Sequence, residues 1–201
     1  MKLILNTSLD PHFCALFDLK NKLQNKLIWQ NRKKDSENIY NFLSKVPLKK
    51  LTCVGALSGP GGFACLRAAS VTVNCLAFAS KKLCLQSLRS DKFVSFLLRN
   101  KNFKNPEMSF VLNSFGSDVF ITKNKKLQKV STSIAIKFFR EKKIDSLCLD
   151  FLPKAKQSLF SDFKPIKMQL STVEIICELC RAFQNSKSIQ TFAPEYNFDI
   201  V

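Results

Sequence analysis

Glycine is scarce in this chain. There are five in 201 residues, and four of them fall between Gly55 and Gly62. Backbone freedom is thus concentrated in one segment, "GALSGPGG". That segment has no GK[ST] ending, which excludes a Walker-type loop with a lysine reaching the phosphates. It is also not a GxGxxG turn with a following acidic residue. Histidine is scarcer still. His12 is alone, so histidines by themselves cannot build a metal site or a two-histidine relay. No GxSxG elbow is present to serve a triad through it. The single CxxC, Cys177 to Cys180, lacks the second pair that a zinc site needs. No signal-peptide pattern opens the chain, because Asn6 and Asp10 interrupt the apolar start. Acidic residues are few, 15 against 32 Lys and Arg, which leaves a net charge of +17.

The remaining composition is that of a globular protein, 46% hydrophobic, with no low-complexity block and no internal sequence repeat. The positive charge fits either a nucleic-acid footprint or a lysine-rich codon bias, and its field favours polyanions in both cases. Most of the eight cysteines sit inside apolar runs such as "NCLAF". They read as free buried thiols of a cytoplasmic protein.

Periodicity predicts three strands, "KLILNTS" (2–8), "FCALFDLK" (13–20) and "NKLIWQN" (25–31), joined by short turns as an antiparallel meander. A helix follows over 35–46, with Ile39, Phe42, Leu43 and Val46 in one stripe. Asp35 or Ser36 is placed to cap it, and Pro47 stops it. A buried strand (51–57), the glycine loop, a helix from Phe63 to Ala79, a strand (82–87) and a helix (91–100) complete a βββαβαβα order. The second half is less clear. Strands are expected near "EMSFVLN", "SDVFITKN" and "KKLQKVS", a helix over 132–143, and a strand over 145–151. Ser171 and Glu174 form a capping-box spacing before a helix that packs Val173, Ile176, Cys177 and Cys180 along one stripe. The lobes are expected to divide near 100–106, giving an N-terminal unit of 1–103 and a C-terminal unit of 104–201, partly degenerate, with a tail at 192–201.

Two readings of Gly59, Pro60, Gly61 and Gly62 stay open. A strand, glycine turn and helix can hold phosphate at the helix N-terminus, or the glycines can simply allow positive φ and close packing. The helix beyond is more informative. Arg67 is its only charge from Phe63 to Ala79. Ala64, Ala68, Val71, Cys75 and Phe78 line one face, and Phe63, Leu66, Ser70, Val73 and Ala77 the other. A helix apolar on both faces needs cover on both. With Arg67 and Asn74 inside 17 residues it is a poor membrane span. One face covers the sheet; the other requires a partner or the second lobe.

"LILNTS" and "GALSGPGGFACLRAASVTVNCLAFA" together resemble the bacterial TsaB family. That family has a D-T-S strand end and a G-x-G-P-G-S-F-T-G-L-R segment running into a small-residue helix. Thr7 and Ser8 match the first, and Gly59, Pro60, Gly61, Phe63, Leu66 and Arg67 the second. "LQSL" (85–88) and the tail residues Pro194 and Tyr196 add support. Asn6, Gly62, Ala64 and Cys65 depart from the pattern, as do Asn197-Phe198 at the tail. Asp35 lies near the place of a missing family histidine. The resemblance implies an α/β fold of the actin-like ATPase superfamily, two βββαβα lobes with mixed sheets, the second reduced. It implies no catalytic residue and no metal ligand. It implies pairing with a catalytic TsaD-type subunit, helix against helix, with a TsaE-type ATPase joining them. That complex moves threonylcarbamoyl onto adenosine beside the anticodon of ANN-decoding tRNAs.

The leading expectation is therefore a scaffold subunit. Tyr40, Leu43, Ala64, Arg67, Ala68, Val71, Cys75 and Phe78 would face the partner. There is no intrinsic cofactor, with ATP or ADP at the shared interface left open, and no membrane contact. tRNA is met through the complex, and self-association is open when the partner is missing. The alternatives are an actin-fold kinase or hydrolase, which needs a carboxylate for Mg²⁺ where Asn6 stands, and a stand-alone basic tRNA-binding protein.

Overall fold

The computed structural model describes residues 1–30, 34–99, 109–113, 117–123, 126–167 and 170–195. Its first sheet grows from β1 (Lys2–Asn6), β2 (His12–Phe17) and β3 (Leu23–Trp29), an antiparallel meander as expected. Helix α1 (Asp35–Leu43) leads to β4 (Cys53–Leu57), which pairs parallel with β1. Helix α2 (Phe63–Ala79) has the predicted bounds. It leads to β5 (Cys84–Leu88), parallel to β4, and then to α3 (Ser90–Arg99).

The second sheet repeats this plan. It holds β6 (Ser109–Asn113), β7 (Asp118–Lys123) and β8 (Lys126–Ser131), then α4 (Thr132–Glu141), β9 (Ser146–Cys148), α5 (Lys154–Gln157), β10 (Lys164–Ile166) and α6 (Thr172–Gln184). The two strand orders, β5-β4-β1-β2-β3 and β10-β9-β6-β7-β8, correspond position by position. The repeat lies in topology and is invisible in the residues. The second copy is the smaller: α5 has four residues where α2 has 17. After α6 the chain returns to the first sheet, where β11 (Ser188–Ile189) pairs antiparallel with β5. The fold is α/β with two mixed sheets, as the resemblance implied. The proposed junction at 100–106, Phe115 and Gly116 between the expected strands "EMSFVLN" and "SDVFITKN", Tyr196 and the Asn197-Phe198 pair lie outside the described residues.

Alternation along the strands sorts the core into layers. Leu3, Leu5, Cys14 and Leu16 face α1 and α2 in one cluster. Ile4, Phe13, Ala15 and Phe17 face the other way, toward α3 and α6. Phe110, Leu112 and Phe120 of the second sheet meet the same two helices. Val111, Val119 and Ile121 turn outward to Ala135 and Phe139 of α4. Helices α3 and α6 are thus sandwiched between the sheets, while α1 and α2 cover only an outer face. Ser171 and Glu174 form the expected capping box of α6. On that helix Ile176 and Cys180 are buried, Cys177 is half-buried and Val173 is exposed.

One local expectation fails. Neither Asp35 nor Ser36 caps α1; Lys34 precedes the helix with no side-chain cap. The Asp35 carboxylate turns inward instead, because stronger donors lie there.

Candidate functional site

Helix α2 rests on the sheet through Cys65, Leu66, Ala69 and Val73, all buried. These positions recur every three or four residues and form one stripe. The opposite stripe has no cover among the described residues. Phe78 is 91% exposed and Val71 55%, and on the neighbouring α1 Tyr40 is 71% exposed. Large apolar side chains in a contiguous exposed group mark a contact surface. Between the helices lies an open groove of about 580 Å³. Ile39, Tyr40 and Leu43 of α1 form one wall, and Ala64, Ala68, Val71 and Cys75 of α2 the other. Among the described residues Arg67 is the sole charged side chain on its lining. Small residues on α2 open the groove, since Ala64, Ala68 and Cys75 leave room where longer side chains would fill it.

The structure brings seven of the eight expected contact residues into this groove: Tyr40, Leu43, Ala64, Arg67, Ala68, Val71 and Cys75. Phe78 stands on the same side of α2, beyond the groove. Ser36, Ile39, Phe63, Thr72 and Leu76 also line it, and sequence reasoning passed over them as site residues. Helical spacing of four from Tyr40, Leu43 and Arg67 would have found Ser36, Ile39 and Phe63.

The glycine loop has a structural occupation. Gly59 adopts φ +119°, and a Cβ there would come within 2.5 Å of the Glu195 carbonyl oxygen. The Glu195 N–H donates to Ser58 O at 2.6 Å, and Arg89 pairs with the Glu195 carboxylate. A Cβ on Gly61 would lie 2.9 Å from Ser8 Cα. Ser8 Oγ bonds Pro60 O at 2.5 Å and lies 2.6 Å from Ser90 Oγ. The glycines therefore admit the tail and the β1–β2 turn. Gly62 is the extended residue before α2, and Pro60 is buried. Asn6 holds that turn: its Nδ2 donates to Leu9 O and Pro11 O, and its Oδ1 accepts from Ser8 and Leu9 N–H.

Beneath the groove lies a buried polar group that sequence reasoning missed. His12 opens β2 and pairs across the sheet with Trp29 at the end of β3. Asp35 Oδ1 lies 2.7 Å from His12 Nδ1 and accepts from Trp29 Nε1 at 2.6 Å. Burial pushes the Asp35 carboxyl up, but the hydrogen bond and charge of His12 and the Trp29 and Cys65 donors outweigh it. Its pKa ends below the ordinary carboxylate value. The Cys65 thiol is the third member, and the three ligand-type atoms lie within 4.8 Å of one another.

Two structures from Pseudomonas aeruginosa share this fold: YeaZ, also called TsaB, and a protein described as similar to peptidase YeaZ. Each matches at 12% identity and TM-score 0.56, over 97% of this chain and 98% of its own. A Bacteroides thetaiotaomicron protein with an actin-like ATPase fold aligns more loosely, at 8% identity and TM-score 0.41, over 89% of this chain and 95% of its own. No protein-family model and no curated protein matches the chain. The chain has the YeaZ fold. No described helix is long and apolar enough to cross a membrane.

Proposed function

We propose that this protein is the non-catalytic scaffold subunit of a tRNA threonylcarbamoyladenosine synthesis complex, docking a TsaD-type catalytic partner in the α1–α2 groove. The observation that carries the reading is the uncovered apolar stripe of α2 on a chain with the YeaZ fold. Burying the exposed parts of Tyr40, Val71 and Phe78 would contribute several kcal/mol at about 25 cal/mol per Å², before the cost of association. Arg67, the single charge among the described lining residues, would fix orientation by pairing with an acidic group of the partner. A TsaE-type ATPase and tRNA would join through the partner, with ATP or ADP held, if at all, between subunits. The turn role of Asn6 supports a structural rather than a Mg²⁺-holding function for that position, which weakens the kinase or hydrolase alternative.

Co-expression with a TsaD-type protein tests the proposal. The pair is expected to co-elute from size exclusion, and Ala68→Arg is expected to separate them while circular dichroism stays unchanged. Co-elution that survives Ala68→Arg and Val71→Glu would place the interface elsewhere.

A further inference from the structure

We propose that His12, Asp35 and Cys65 form a binding site for a zinc-type divalent cation at the roots of α1 and α2. The three come from separate elements: His12 from the first residue of β2, Asp35 from the first of α1, Cys65 from the first turn of α2. All are buried, at 0%, 3% and 6% exposure. Their ligand-type atoms already converge within 4.8 Å. Imidazole, carboxylate and thiolate together are the donor set of zinc sites.

Two further observations point to a ligand. Asp35 Oδ2 and His12 Nε2 are sealed from water with no hydrogen-bond partner among the described residues. Buried polar atoms are normally paired, so each needs a reason. A cation between Oδ2, Nδ1 and the Cys65 sulfur supplies it for the carboxylate. Oδ1 would keep the Trp29 N–H, which orients the carboxylate from outside. The imidazole then carries its proton on Nε2, which faces Asp10 Oδ1 at 3.7 Å. A carboxylate behind the far nitrogen of a ligating histidine is the usual outer partner in zinc sites. Zn–N and Zn–O bonds of about 2.0–2.1 Å separate tetrahedral ligands by about 3.3 Å. Nδ1 now lies 2.7 Å from Oδ1, so it would exchange that hydrogen bond for the cation while Oδ2 turns to about 3.3 Å from it. The thiol proton leaves to solvent as the cation enters, and the imidazole keeps its single proton, now on Nε2.

The inference is independent of any partner protein and is tested on the full chain. Chelator-treated protein is titrated with Zn²⁺ in a calorimeter and with Co²⁺ in a spectrophotometer. One equivalent is expected to bind, with a tetrahedral Co²⁺ spectrum and a thiolate-to-cobalt charge-transfer band. Cys65→Ser should remove that band and weaken Zn²⁺ by more than the roughly 10–100-fold cost of losing an outer partner. The double variant Cys177→Ser, Cys180→Ser should change neither reading. If Cys65→Ser fails to fold, Asp35→Asn with the same titration decides. Absence of stoichiometric binding by the unmodified chain overturns the site, as does binding lost with Cys177 and Cys180 but kept in Cys65→Ser.

Discussion

Asn6 uses both ends of its amide, donating twice and accepting twice within the β1–β2 turn. An aspartate could keep the two accepted bonds but would aim a buried charge at the Leu9 and Pro11 carbonyls. Asn6→Asp is therefore expected to destabilise the fold by about 2–4 kcal/mol, read as a lower midpoint in urea with unchanged slope. The two neighbouring glycines of the loop separate in the same way. Gly61 faces the Ser8 backbone, where a methyl group would sit 2.9 Å from Cα. Gly62 is extended, at φ −66°, and its nearest neighbour for a Cβ is the Cys65 sulfur at 3.3 Å. Gly61→Ala should cost about 1–3 kcal/mol by overpacking. Gly62→Ala should stay within about 0.5 kcal/mol of the parent, because backbone entropy offsets the tight contact. Equal effects in a urea titration would mean that the loop yields, and that the turn is not held by Ser8.

At the scale of the element, α2 carries two opposite consequences one residue pair apart. Val73 is fully buried on the sheet and Val71 points into the groove. Val73→Glu should unfold the chain, whereas Val71→Glu should change stability by no more than about 0.5 kcal/mol and act only on partner binding. Cys75 reports on the same face. Burial, then the nearby Cys84 thiol, pushes Cys53 up to about 12, and burial pushes Cys180 up to about 11. Neither offers thiolate at about pH 8. Cys75 is exposed and is expected to be the first thiol alkylated, with docking of the catalytic partner protecting it. Alkylation at an undiminished rate in the complex would move the interface off α2. This helix was legible because 17 residues with one charge cannot hide a wet face. The meander and α1 were legible for the same reason, their periods being long enough to count. Strand β9 falls within the strand expected over 145–151, but β10, of three residues, and the four-residue α5 span at most about one and a half repeats of any pattern. The Asp35 group was illegible for another reason: β2, β3, α1 and α2 bring it together across 53 residues of sequence, and a carboxylate before a helix reads locally as a cap. The glycine loop likewise owes its composition to Glu195, which no local pattern connects to it.

For the molecule as a whole, charge and shape point to different partners. The groove is apolar and specific in form, while the net charge of +17 is a diffuse property of the chain. Much of it comes from exposed lysines such as Lys45, Lys49 and Lys50 in the first unit and Lys142, Lys143 and Lys154 in the second. Spread in this way, such charge attracts polyanions without reading them, since phosphate contacts carry affinity but no sequence information. A scaffold reading and a stand-alone RNA-binding reading therefore diverge on selectivity rather than on attraction. If the protein is a scaffold, the isolated chain should bind ANN-decoding and other tRNAs with equal, weak affinity. That affinity should fall linearly in log–log plots as salt is raised, through release of counterions. Discrimination should appear only when the TsaD-type subunit is added, because on this reading the adenosine is presented to the partner's catalytic site. Filter binding across a salt series, with and without the partner, makes the comparison. Preference for ANN tRNAs by the isolated chain, persisting at high salt, would assign the recognition to this protein and overturn the scaffold role.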